Sequence, residues 1–229
     1  MNLTTSTLTR AAGLSAVVAG LLFIVIQPIH PPENVATVTS SAWAIVAYLT
    51  MIMSIFALVG VTGIYLRQVK ETGLLGLIGY LLFGFEFVLV TVWSFVEALV
   101  LPPLASEAPQ FVDTVLGVFN GSAGETNLGT LGAVGLVSFA LYLVGAVLFG
   151  IAIFRAGVLS RWGAILLALG AASTLLVPFL PHAAARYAAV PVGLALIWLG
   201  FSLWAEQRKS AAERLTGMQS PQLDPTPAV

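Results

Sequence analysis

The chain has 229 residues, 59% of them hydrophobic and only 8% charged, with a formal net charge of -1 and a mean hydropathy of +1.00. Soluble globular domains carry about a quarter charged residues, so this composition excludes that class and places the chain in a bilayer, and the near-neutral balance gives no global field for nucleic acid. The absence of cysteine excludes disulfides, thiolate metal sites, iron–sulfur clusters and thiol catalysis.

A helix needs about 20 apolar residues to cross the hydrocarbon core, because its backbone polar groups must be satisfied within the segment. Six runs meet this, at about 11–29, 41–66, 73–101, 128–154, 162–180 and 183–204. The expected fold class is therefore all-α, a polytopic bundle of six transmembrane helices. The first run, "AAGLSAVVAGLLFIVI" after Arg10, resembles a signal peptide, but "QPIHPP" follows in place of a small-x-small cleavage site, so it reads as a retained span. The last two runs are separated only by Pro181 and His182, which implies a tight turn or, alternatively, a re-entrant pair.

Lysine and arginine fix direction, since they accumulate on the cytoplasmic side of short loops. With alternating spans, Arg10, Arg67, Lys70, Arg155, Arg161, Arg208, Lys209 and Arg214 share one side, eight of the nine basic residues. The other side carries Glu33, Glu107, Asp113 and Glu125, with Arg186 the exception. Both termini are thus expected in the cytoplasm of a plasma-membrane protein.

The stretch from Pro102 to Asn127 is too long for a simple turn. Within it, Phe111, Val112, Val115, Leu116 and Phe119 share one helical face, which predicts a short amphipathic helix over about 109–119, lying on the outer leaflet or capping the bundle. After Trp204, residues 205–229 form a tail that first extends the sixth helix and is expected to be disordered from about Gly217. Glycines at 73, 76, 79, 129, 132 and 135, and the stripe Ala12, Ala16, Gly20, predict close helix packing.

Two glutamates interrupt the third span. Eleven residues separate Glu86 from Glu97, about three turns or roughly 16 Å on nearly one face, and Trp93 shares that face. An acidic side chain near mid-membrane belongs in the bundle interior. Two readings stand: a neutral Glu86 donates a hydrogen bond to a neighbouring helix, or it carries protons or binds a cation or polar ligand. Glu97 is expected to pair with Arg186 at the outer level. Gln27, Tyr48 and Tyr187 lie near the same level, and Pro191 should free the Tyr187 carbonyl, so a polar pocket is predicted in the outer half. His30 and His182, the only histidines, are weak metal candidates with Glu33 or Glu97. No cofactor is expected, because no haem ligand set, nucleophile elbow, phosphate loop or zinc motif is present. Trp43, Trp162 and Trp204 read as interfacial anchors.

The segments "LVGVTGIYLRQVKETGLLGLIGY", "FRAGVLSRWGAILLALG" and "LIWLGFSLW" resemble small six-span bacterial membrane proteins, frequent in actinobacteria and grouped as domains of unknown function. That resemblance implies an all-helical plasma-membrane protein and supplies no catalytic residues. The remaining function classes are a ligand-binding or accessory protein, a proton- or ion-coupled transporter using Glu86, and a membrane enzyme whose chemistry is not visible. The partners expected are membrane lipids, a small or lipidic ligand, and a membrane-protein partner or a second copy of the chain.

Overall fold

The computed structural model describes residues 4–120, 126–180 and 185–219 and is helical, with no strand among them. Thr4 opens α1 (Thr5–Ile29) by accepting the Thr7 N–H, and Pro28 falls in its last turn. Asn34 and Ser40 cap the one-turn α2 (Val35–Val38) and the long α3 (Ser41–Arg67) in the same way. Gln68 alone separates α3 from α4 (Val69–Phe95). The reversal is completed at Gly73, whose φ of 56° L side chains rarely adopt, so the straight part of α4 begins where the sequence placed its span.

A π turn, Val96–Val100, carries α4 on into α5 (Leu101–Glu107), and α6 (Pro109–Asn120) follows. A 3-10 turn over Gly129–Ala133 leads into α7 (Val134–Ala156), which ends on Gly157 at a φ of 64°, its N–H returned to the Ile153 carbonyl. Then come α8 (Arg161–Ser173), two 3-10 turns at Thr174–Phe179 and Arg186–Ala189, and α9 (Val190–Gln219). α9 is described to Gln219, and residues 220–229, most of the segment expected to be disordered, lie outside the described residues.

Among the described residues, six stretches are long and apolar enough to cross a membrane: Thr5–Ile29, Ser41–Arg67, Val69–Glu107, Gly129–Ala156, Arg161–Phe179 and Arg186–Glu206. They form a ring in chain order, α1 on α3, α3 on α4, α4 on α7, α7 on α8, α8 on α9, and α9 back on α1. Phe83, Phe87 and Phe149 are buried inside it, whereas Leu74, Leu136 and Trp162 on the perimeter stay exposed, as expected of lipid-facing positions.

Glycine sets the closest approaches. A Cβ at Gly13 of α1 would lie 2.8 Å from the Gly200 carbonyl oxygen of α9, and one at Gly200 would lie 2.5 Å from that of Gly13. Gly79 of α4 abuts the Phe149 backbone of α7, and Gly145 of α7 abuts the Phe83 backbone in return. Not every expected packing glycine packs. Gly73, Gly129 and Gly132 have nothing within 4 Å of an added Cβ; the first two serve turns of positive φ.

Alternation of the spans gathers Arg10, Arg67, Lys70, Arg155 and Arg161 at one end of the ring and Glu33, Glu97, Glu107 and Asp113 at the other. At the basic end the Arg67 guanidinium forks onto the Glu206 carboxylate, its Nε donating to Oε2 at 2.7 Å, and ties α3 to α9. At the acidic end α6 turns Val112, Val115 and Leu116 onto Val38, Trp43, Trp93 and Leu101. Of the two placements expected for this amphipathic helix, it takes the one that caps the bundle.

Candidate functional site

Glu97 lies inside the π turn, and the turn explains what surrounds it. The Leu101 N–H reaches back to the Val96 carbonyl, five residues rather than four, and the next residue, Pro102, has no N–H to give. The Glu97 carbonyl therefore lacks a helical donor. Trp43 of α3 fills the vacancy, its Nε1 donating at 2.9 Å. Trp93, one turn earlier on α4, donates its Nε1 to Glu97 Oε1 at 3.0 Å, which places both on one face as the spacing predicts. Trp43 is thus a buried clamp, only 3% exposed, and not the interfacial anchor its sequence position suggests.

The expected ion pair between Glu97 and Arg186 does not form. Arg186 donates to Glu33 Oε1 at 3.0 Å instead. The reason is topological: the turn that carries Arg186 packs on α1, so the loop leaving α1 presents the nearer carboxylate. Among the described residues, Glu97 is left without a cationic partner.

His30 belongs to the same group. Its Nδ1 lies 2.8 Å from the Pro31 carbonyl, which only accepts, so Nδ1 carries the proton; its ring stands edge-on to Trp43 with centroids 6.1 Å apart. Burial is the largest influence on this imidazole and pushes its pKa below the ordinary 6.5, with Arg186 acting in the same sense and the Pro31 carbonyl and Glu33 opposing. Between the folded-state value and 6.5 the unfolded chain binds more protons than the folded one, so stability rises with pH across that window and is lost below it. The expected result is a thermal midpoint in neutral detergent that drops as pH falls below 6.5, and a smaller drop in His30→Gln; identical pH profiles would contradict this assignment.

No three His, Asp or Glu side chains among the described residues converge to hold a metal ion. His182 lies outside the described residues. Three other polar candidates are placed elsewhere. Tyr48 and Tyr187 are 44% and 52% exposed on the perimeter, and Gln27 donates back to the Phe23 carbonyl of its own helix at 2.8 Å. The Tyr187 carbonyl is not free either: the chain tightens to a 3-10 turn before Pro191, and the Val190 N–H donates to it.

Glu86 forms a second polar centre, 5% exposed on the α4 face that meets α7. The Ser138 hydroxyl donates to its Oε1 at 2.6 Å, so Glu86 is the acceptor in the helix-to-helix bond that was expected with the glutamate donating. Its Oε2 is buried without a partner, and so is the Tyr142 hydroxyl. Tyr142 stands one turn along α7 from Ser138 and meets Phe83 edge-on at 6.0 Å. Residues 79 to 86 of α4 thus run antiparallel to 149 to 138 of α7. Ser138, Tyr142 and Glu33 were not picked out as partners in the sequence; the i, i+4 spacing of Ser138 and Tyr142 was the signal available for the first two.

Comparison with protein families, curated proteins and solved structures gives no match.

Proposed function

We propose that this multi-pass membrane protein binds a small or lipidic cation at the acidic end of its bundle, where Glu97 supplies the counter-charge, and that it sits in the plasma membrane with both termini cytoplasmic, in the manner of the six-span bacterial proteins it resembles. One observation carries the binding reading. The Glu97 carboxyl is held in place by a Trp93 indole, with its own main chain pinned by Trp43, yet no arginine, lysine or histidine of the described residues neutralises it. Local charge supports the same sign: Glu33 and Arg186 cancel, and a His30 whose burial favours the neutral imidazole adds no positive charge. A half-buried carboxylate set by pre-formed donors is a site for an ammonium head, because the pre-organisation lowers the ordering cost of binding. The capping helix α6 covers one side of this centre, and Phe95 and Leu99 beside Glu97 are exposed on the perimeter, so an amphiphilic amine fits better than a fully hydrated ion.

Titrating the detergent-solubilised protein with dodecyltrimethylammonium, followed by tryptophan fluorescence, is the direct test, since Trp43 and Trp93 both contact Glu97. A saturable change is expected in the unmodified chain and at least about tenfold weaker binding in Glu97→Gln, the order lost when a partly desolvated charge pair is broken. Equal binding by the two proteins overturns the reading. The orientation rests on the one-sided basic residues, and a reporter fused after Val229 that is active only outside the cell contradicts it.

A further inference from the structure

At the opposite end of the ring, α7 and α8 enclose an apolar groove of about 250 Å³, lined by Gly150, Ile151, Phe154, Ala164, Ile165 and Ala168. Its lining carries no polar surface, which suits a hydrocarbon chain and no soluble ligand. The groove owes its depth to small residues: an added Cβ at Gly150 would lie 2.8 Å from the Ala164 carbonyl oxygen, and Ala164 and Ala168 offer only methyl groups across from it. What marks this groove off from ordinary perimeter is the charge at its mouth. Arg155 lies four residues past Ile151 on α7, and Arg161 lies four residues before Ile165 on α8, so each helix presents one arginine on its groove-lining face, one turn toward the basic end. The Arg161 guanidinium stands 5.7 Å from the centre of the Phe154 ring, a groove residue, which fixes it at the lip.

Neither arginine meets an acidic side chain among the described residues. No Asp or Glu occurs between Glu125 and Glu206, so neither arginine has an acidic neighbour on its own helix, and Glu206 is taken by Arg67. Two exposed guanidinium groups with no acidic partner among the described residues, at the mouth of an apolar groove, are complementary to a phosphate head above a lipid tail. We infer that the groove between α7 and α8 is a binding site for an anionic phospholipid, its phosphate held by Arg155 and Arg161 and one acyl chain lying along Gly150, Ala164 and Ala168.

Native mass spectrometry of the full chain, equilibrated with phosphatidylglycerol or with phosphatidylcholine of the same chain lengths, tests this. The unmodified protein is expected to retain phosphatidylglycerol preferentially, by roughly fivefold for each arginine contacting the head. Arg155→Gln with Arg161→Gln should erase the preference, and both positions are exposed, so folding is not at stake. Ala168→Leu, which fills the groove while leaving both charges, should lower retention of phosphatidylglycerol. The inference is overturned by equal retention of the two lipids in the unmodified protein, by a preference that survives in the double variant, or by full retention in Ala168→Leu. Because this site takes an anion and the acidic end a cation, the outcome is independent of the Glu97 test.

Discussion

Replacing Gly79 or Gly145 by valine is expected to lower stability by about 3 kcal/mol or more each, the upper end of overpacking costs. At both positions the added atoms meet main chain on the facing helix: Phe149 for Gly79, with its Cα 2.8 Å from an ideal Cβ, and Phe83 for Gly145, with its Cα at 2.9 Å. A side chain in the way can rotate; a backbone cannot without moving its helix. The whole α4–α7 contact, which also carries the Glu86–Ser138 bond, must then open. Gly132→Ala is the matched control, since nothing lies within 4 Å of its added Cβ and its φ is not positive. Unfolding midpoints in mixed detergent read the difference. A Gly79→Val protein as stable as Gly132→Ala would mean that α4 and α7 do not pack as described.

The second large effect is an asymmetry at the buried glutamate. Ser138→Ala leaves both oxygens of Glu86 without a donor, since Oε2 has none already. The cost expected for a newly unsatisfied buried acceptor is about 1 to 3 kcal/mol, toward the lower figure in a membrane, where the unfolded reference also finds partners. Glu86→Leu takes the other path. It removes the carboxyl altogether, and the freed Ser138 hydroxyl has the Val134 carbonyl one turn back as an acceptor. Substituting a buried polar partner by an apolar residue of similar size is commonly neutral or stabilising, so Glu86→Leu should match or exceed the parent in thermal midpoint. That pair of results would show that the carboxyl is not there for stability, and would favour the reading in which it handles a proton or polar ligand. Destabilisation by Glu86→Leu as large as that by Ser138→Ala would make Glu86 a packing residue.

Legible in the sequence alone were the number and approximate positions of the membrane-capable helices, the one-sided distribution of basic residues and the amphipathic helix after Pro109. These follow from local physics: a backbone in hydrocarbon has to satisfy its own N–H and C=O groups, so a run of about 20 apolar residues reads as a helix wherever it falls. The shared face of Trp93 and Glu97 was legible for the same reason, since helical period is a property of one segment. The Glu97–Arg186 pair was not, because equal depth says nothing about which helices are neighbours. Only the ring order, with α9 closing on α1 and not on α4, gives Arg186 to Glu33. Glycine misled in a similar way. Composition cannot distinguish Gly79, pressed against the Phe149 backbone, from Gly73, which turns the chain in open space. The partner of the Glu97 carbonyl shows the limit most sharply. In regular α-helix Pro102 would orphan the Ala98 carbonyl, but the π turn moves the vacancy one residue back, and an indole from α3 fills it. Spans are decided by each segment's own hydrogen bonds, whereas the site is decided by contacts between segments, which no single stretch of sequence contains.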